Sequence, residues 1–181
     1  MNVIRKFLTL LVLAILPVLA SGQSIPQRLE LVQIEKEIDS FSIELLEVFN
    51  MPEEGVNHYY LTVGRLGFGD EVVQVLFDPI SELFIPLGDT VAEALESLQQ
   101  IQALFKQQPG ANLETTGCLA IGFPNGNREP VRVKYMKPVL SKILEFSVQR
   151  EGYMRAAHMQ KGEFDTLVRG VKFYQRLHPN E

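Results

Sequence analysis

Two amphipathic helix patterns, each preceded by several strand-length runs, constrain the fold of this 181-residue chain more than any other feature. The first helix is predicted after Asp89 or Thr90, where Thr90 and Glu93 have the spacing of a capping box. Its apolar residues recur every three or four positions and so form one stripe; they are Val91, Ala94, Leu95, Leu98, Ile101, Leu104 and Phe105. The second pattern predicts a helix from about Gly162 to Leu177.

Runs of strand length precede each helix. In the second half, Val131, Val133 and Tyr135 alternate with polar residues, which predicts a strand with one buried and one wet face. Further strands are predicted at residues 42–50, 58–64, 71–77, 82–87, 116–123, 144–148 and 153–159, and residues 28–36 fit a strand or a short helix. Asn125-Gly126 favours a type I′ hairpin turn, and Pro86 suggests that its strand lies at an edge.

These patterns predict an α+β fold: a mainly antiparallel sheet, open to strong curvature, with two amphipathic helices packed on one face. Because each half reads as several strands followed by a helix, a two-fold internal ββββα pseudo-repeat is a further hypothesis. No residue-level similarity between the halves supports it.

The N-terminus has the form of a secretory signal peptide. Arg5 and Lys6 precede an apolar run over residues 7–20, and Ala20-Ser21-Gly22 supplies the small residues of a cleavage site. We therefore expect a signal peptide at 1–22 and a single domain at 23–181, exported to the periplasm or secreted. No second long apolar stretch follows, so no transmembrane span is expected.

Charge is distributed unevenly along the chain, whose net charge is −5. Residues 23–111 contain four basic and fifteen acidic residues, a net of −11, whereas residues 112–181 contain eleven basic and seven acidic residues, a net of +4. Such asymmetry indicates either a binding face or two halves that attract each other.

The basic residues of the second half supply the candidate binding site. Arg132 and Lys134 lie on the polar face of one predicted strand, Arg128 precedes it, and a neighbouring strand could add Arg155. Together they would form a cationic patch for an anionic partner. Tyr60, on the polar face of its own strand, is a candidate exposed aromatic contact. The alternative interpretation is an ordinary solvated face.

Catalytic chemistry has weak support in the sequence. The histidines, His58, His158 and His178, have no metal-site spacing, and Cys118, the only cysteine, lies in an apolar run typical of a buried thiol. We therefore predict no metal, no cofactor and no catalytic residue. The enzyme alternative is a hydrolase whose residues, such as His58, His158 and Cys118, converge from distant strands.

The functional prediction from the sequence is an exported, non-enzymatic binding or accessory protein of the cell envelope that acts through a sheet face or groove. Its expected partner is an unknown protein or anionic ligand of the envelope. A structural subunit of an envelope assembly is a third alternative. Nucleic acid is excluded at this stage because the chain is acidic overall and has an export signal.

Overall fold

The computed structural model describes residues 28–39, 42–67, 82–119, 123–150 and 153–179. These ranges contain four strands and a helix, followed by four more strands and a second helix. The strands are β1 (Leu29–Asp39), β2 (Ser42–Asn50), β3 (Tyr59–Gly67), β4 (Leu83–Gly88), β5 (Asn112–Leu119), β6 (Glu129–Met136), β7 (Ile143–Arg150) and β8 (Tyr153–Gln160). The helices are α1 (Val91–Ala103), which continues into a 3₁₀ turn at Leu104–Lys106, and α2 (Lys161–Leu177).

The strands form one antiparallel sheet in the order β1 to β8, so each strand pairs with its neighbours in sequence. Within each group of four strands the ladders are long, whereas the described residues of β4 and β5 pair at two positions, Leu83 with Leu119 and Phe84 with Cys118. The sheet thus consists of two half-sheets, β1–β4 and β5–β8, joined at a short junction, and it is not closed. The predicted α+β antiparallel fold is confirmed. The pseudo-repeat stays a prediction, because a repeated order of elements does not demonstrate it.

Both helices pack on the same face of the sheet, which we call the inner face. Phe105, after α1, makes ring contacts with Tyr135 of β6 at 5.6 Å and with Phe164 of α2 at 6.3 Å. The inner positions of both half-sheets and the apolar stripes of both helices belong to one hydrophobic core. Burying these stripes is the main source of stability for helices of this length.

Side-chain hydrogen bonds start each helix and link the two. At the start of α1, Glu93 N–H donates to Thr90 Oγ1 at 3.2 Å and the Glu93 carboxylate accepts from the Thr90 N–H, which confirms the predicted capping box. Gln102 of α1 donates to the Asp165 carboxylate of α2 at 2.8 Å. Burial raises the pKa of Asp165, but hydrogen bonds from Lys161 and Gln102 outweigh burial, so that its pKa is lower than usual.

Gly117 lies where the two half-sheets meet and permits a close approach of three strands. A Cβ atom at this position would lie 2.9 Å from Leu83 Cδ1, 2.9 Å from Val131 Cγ2 and 3.1 Å from the Phe84 carbonyl oxygen. Two of these contacts are shorter than real Cβ atoms show, and the third is with backbone, which has little freedom to move. Glycine is therefore required for packing at this point.

The structure changes several local predictions. The segment predicted as a strand or a short helix at 28–36 is a strand from residue 29 onward, β1. Neither Asn125 nor Gly126 has a positive φ, so the predicted type I′ turn is wrong. β4 is an interior strand, and Pro86 lies beyond the two residues that pair with β5, where a missing N–H donor costs no ladder bond to that strand. The predicted strand at 71–77 and the predicted signal peptide lie outside the described residues.

No described helix is long and apolar enough to span a membrane.

We predict that Gly117→Ala destabilises the protein by about 2 kcal/mol, because the methyl group overpacks the junction. Gly162→Ala is the matched control, since a Cβ at this helical position meets nothing within 4 Å. That control should be neutral or stabilising by up to about 1 kcal/mol, as alanine favours helix. Urea unfolding of both variants tests this, and equal stabilities would contradict the packing role of Gly117.

Candidate functional site

The face of the sheet opposite the helices, the outer face, carries polar side chains on the second half-sheet. Inner positions of β6 such as Val131 and Val133 are buried, whereas Arg132 is exposed and Lys134 is partly exposed. The register sets Arg132 opposite Glu114 of β5, and Lys134 opposite Glu145 of β7. The predicted alternation of β6 therefore matches the observed burial.

Two side-chain contacts lie on the outer face of the second half-sheet. Arg132 Nη2 lies 3.5 Å from Glu114 Oε1, and their side chains are 60% and 71% exposed. His158 Nε2 lies 3.3 Å from Glu145 Oε2, whose side chain is partly buried. An exposed pair such as Arg132–Glu114 contributes about 0–1 kcal/mol, so another anion can replace Glu114 as the partner of Arg132 at little cost.

A cluster of four aromatic rings occupies the outer face next to the junction. Phe49 and Phe84 are buried, and Tyr60 and Phe123 are partly buried over them. Phe123 stacks on Phe84 with ring centroids 4.0 Å apart and meets Tyr60 edge-on at 5.0 Å. Tyr60 in turn stacks on Phe49 at 5.5 Å. Tyr60 and Phe123 are therefore the two rings of this cluster that retain solvent-accessible surface.

The charge of Arg128 acts on the Tyr60 phenol. Burial raises the pKa of the phenol, and the positive charge of Arg128 lowers it in part. Arg128 is exposed and directly precedes β6. Within β6, the register places Arg132 and Lys134 in one alternating row along the outer face.

Arg28 lies on the outer face of the first half-sheet and binds the buried carboxylate of Glu47. Its guanidinium lies 4.1 Å from the centre of the Phe49 ring, its Nε donates to Glu47 Oε1 at 3.0 Å, and its Nη2 contacts Glu47 Oε2. Glu47 is only 4% exposed. Burial lowers the pKa of Arg28, whereas the charges of Glu82 and Glu30 oppose that change.

The outer face of the first half-sheet is acidic. A shallow cavity of about 360 Å³ opens beside Arg28. Its lining contains four carboxylates and one cation, namely Glu30, Glu35, Glu47, Glu82 and Arg28, together with Gln33 and Leu45. This half of the outer face therefore repels anions, whereas the second half carries the exposed cations.

The structure brings three of the five predicted site residues, Tyr60, Arg132 and Lys134, to the outer face. Arg128 directly precedes β6, and its charge acts on the Tyr60 phenol. Arg155 belongs to a different row of the sheet. The register pairs Arg132 with Ser147 of β7 but pairs Arg155 with Val148, and adjacent positions of a strand belong to opposite faces.

The sequence did not identify the ring of Phe123 or the Arg28–Glu47 pair as parts of this surface. Phe123 comes from a loop after β5, and its contacts with Phe84 and Tyr60 depend on tertiary structure. The alternation of β2 and β3 in the sequence indicates which of their residues share a face. The pairing of Phe49 with Tyr60 and of Glu47 with Thr62 is set by the register of the two strands.

The candidate catalytic residues do not contact one another within the described part of the chain. His58 Nδ1 lies 2.8 Å from Asp89 Oδ1, and His158 pairs with Glu145. Cys118 is buried, and its thiol donates to the Leu119 carbonyl at 3.4 Å. The described ranges contain no group of three His, Cys, Asp or Glu side chains arranged for a metal ion.

No protein-family model and no curated protein sequence matches the chain. Among solved structures it is similar to WHY3 of Arabidopsis thaliana (15% identity, 78% of this chain and 85% of that chain covered, TM-score 0.39). It is also similar to the plant transcriptional regulator PBF-2 (10% identity, 82% and 92%, TM-score 0.41) and to WHY1 of Arabidopsis thaliana (12% identity, 82% and 85%, TM-score 0.40).

This comparison contradicts two predictions from the sequence: an exported accessory protein of the cell envelope, and a partner that excludes nucleic acid. The exclusion also had a physical weakness, because a net charge of −5 says nothing about one face of the sheet. The predicted export signal at residues 1–22 is untested and stays a prediction.

We predict that Arg28→Met destabilises the protein by about 2 kcal/mol, because it leaves the Glu47 carboxylate buried without its partner. The double variant Arg28→Met/Glu47→Leu should be less destabilised than the single variant. Arg132→Met, which removes an exposed pair, is the control and should change stability by less than about 0.5 kcal/mol. Urea unfolding measures all three, and a double variant less stable than Arg28→Met would refute a buried, mutually dependent pair.

Proposed function

We propose that this protein binds single-stranded nucleic acid along the outer face of β6. The observation that carries the proposal is the pair of cations on the outer face of β6, Arg132 and Lys134, on the same face as the partly exposed rings of Tyr60 and Phe123. Arg128 directly precedes the strand, and we call these three cations the basic row. From residue 128 to residue 134 an extended chain spans about 20 Å.

The two kinds of side chain in this surface match the two parts of an unpaired nucleic-acid strand. Bases that are not stacked in a duplex can stack on aromatic rings, and Arg or Lys side chains contact the phosphates. An open sheet face that displays aromatic and basic residues supplies both interactions at once. A duplex offers no free base faces, so Tyr60 and Phe123 favour single strands.

The charge distribution limits the binding surface to the second half-sheet. Glu30, Glu35 and Glu82 surround the neighbouring cavity on the first half-sheet and would repel phosphates. The carboxylates of Glu114 and Glu145 lie beside the basic row. The Arg132–Glu114 pair is exposed and contributes little to stability, so a phosphate can replace Glu114 as the partner of Arg132. Three phosphate contacts would give a salt slope of about −2 for a single strand. Arg155 is not part of this proposed surface.

We predict that Arg132→Glu/Lys134→Glu weakens binding of an oligothymidylate at least about tenfold, since two phosphate contacts become repulsive. Lys106→Glu/Lys172→Glu is the matched control, because it makes the same change in net charge at exposed positions off this face. Fluorescence anisotropy at several salt concentrations provides the affinities and the salt slopes. If both variants lost the same affinity, the loss would follow from the change in net charge alone, and this would contradict the proposed surface.

Variants of Tyr60 separate stacking from charge in the same assay. Tyr60→Phe keeps the ring and should retain affinity within about twofold, whereas Tyr60→Leu should lose about 1–3 kcal/mol of binding free energy. Equal affinities for the two variants would remove base stacking from the proposal. Thermal unfolding of Tyr60→Leu checks that its contacts with Phe49 are not essential to the fold.

A further inference from the structure

The connection between β6 and β7 exposes two adjacent aliphatic side chains. Val139 is 89% exposed and Leu140 is 92% exposed, the two highest values among the large apolar residues that the structure describes. Lys137 and Lys142 flank them on either side, and all residues of the connection, 137–142, are exposed. We call these six residues the tip.

The backbone of the tip is strained in a way that keeps these side chains in solvent. Ser141 N–H donates to the Pro138 carbonyl at 3.0 Å, which closes a tight turn around Val139 and Leu140. Val139 has a φ of +53°, a conformation that suits Gly, Asn or Asp and that a β-branched residue rarely adopts. Strain of this kind collects at functional sites.

A shallow cavity of about 370 Å³ opens beside the tip. Lys137 and Pro138 of the tip line it, together with residues that include Lys134 and Tyr135 of β6. Val139 and Leu140 are not among its lining residues, so this cavity does not bury the two aliphatic side chains.

We infer that the tip inserts into the surface of an anionic lipid bilayer. Val139 and Leu140 would enter the boundary between headgroups and acyl chains, and the ammonium groups of Lys137 and Lys142 would meet anionic headgroups. A lipid surface fits better than a protein partner, because two side chains at the end of a turn present far less area than a stable protein interface needs.

Binding through the tip alone is weak and reversible. Two aliphatic side chains and two lysines are comparable with a single acyl anchor, which holds a protein only transiently. The inference is independent of the nucleic-acid proposal, since none of the tip residues belongs to the basic row or to the aromatic cluster.

A probe attached at the tip tests the inference in the full chain. Residues 7–20 are apolar and could bind lipid themselves, so sedimentation with vesicles would not be specific. We therefore place an environment-sensitive fluorophore at Ser141→Cys in a Cys118→Ala background, and at Lys172→Cys on α2 as the control position. The vesicles contain phosphatidylcholine with phosphatidylserine, or phosphatidylcholine alone.

The expected result is a blue shift and an intensity gain of about twofold or more at position 141, with anionic vesicles only, and no change at position 172. Adding Val139→Ser/Leu140→Ser should abolish the change at position 141 without unfolding the protein, because both side chains are exposed. No shift at position 141, or an equal shift with uncharged vesicles, would overturn the inference. A shift that appears without vesicles as protein concentration rises would overturn it in favour of a protein contact.

Discussion

The close approach at Gly117 is the constraint on which the rest of the structure depends. Two residue pairs join β4 to β5 in the part of the chain that the structure describes, and a side chain at position 117 would collide with Leu83, Val131 and the Phe84 backbone. This short junction lets two four-stranded half-sheets share one inner core with both helices. It also sets the aromatic cluster beside the start of β6, where the outer face changes from acidic to basic.

Much of the fold could be predicted from periodicity alone. The stripes of α1 and α2 and the capping box at Thr90 are local patterns, and the structure confirms them. The alternation of Val131, Val133 and Tyr135 likewise gives the buried face of β6. The interior place of β4 could not be predicted, because Pro86 is typical of an edge strand and the pairing of β4 with β5 depends on tertiary structure.

The candidate site was only partly predictable, for a related reason. Alternation along one strand shows that Arg132 and Lys134 share a face, but it does not show that the charge of Arg128 acts on Tyr60 of the other half-sheet. Charge counting gave the opposite signs of the two halves, yet the total of −5 led to the wrong exclusion of nucleic acid. What decides binding is the charge of one face, and that depends on pairing across strands.

The most direct test of the central claim is an NMR titration of the protein with a short oligothymidylate. The account predicts that amide shifts concentrate at residues 128–134, at Tyr60 and at Ser147 opposite Arg132, while α1 and α2 stay unchanged. Shifts confined to the helices would contradict a nucleic-acid surface on β6. The absence of any shift with the oligothymidylate in large excess over the protein would contradict it as well.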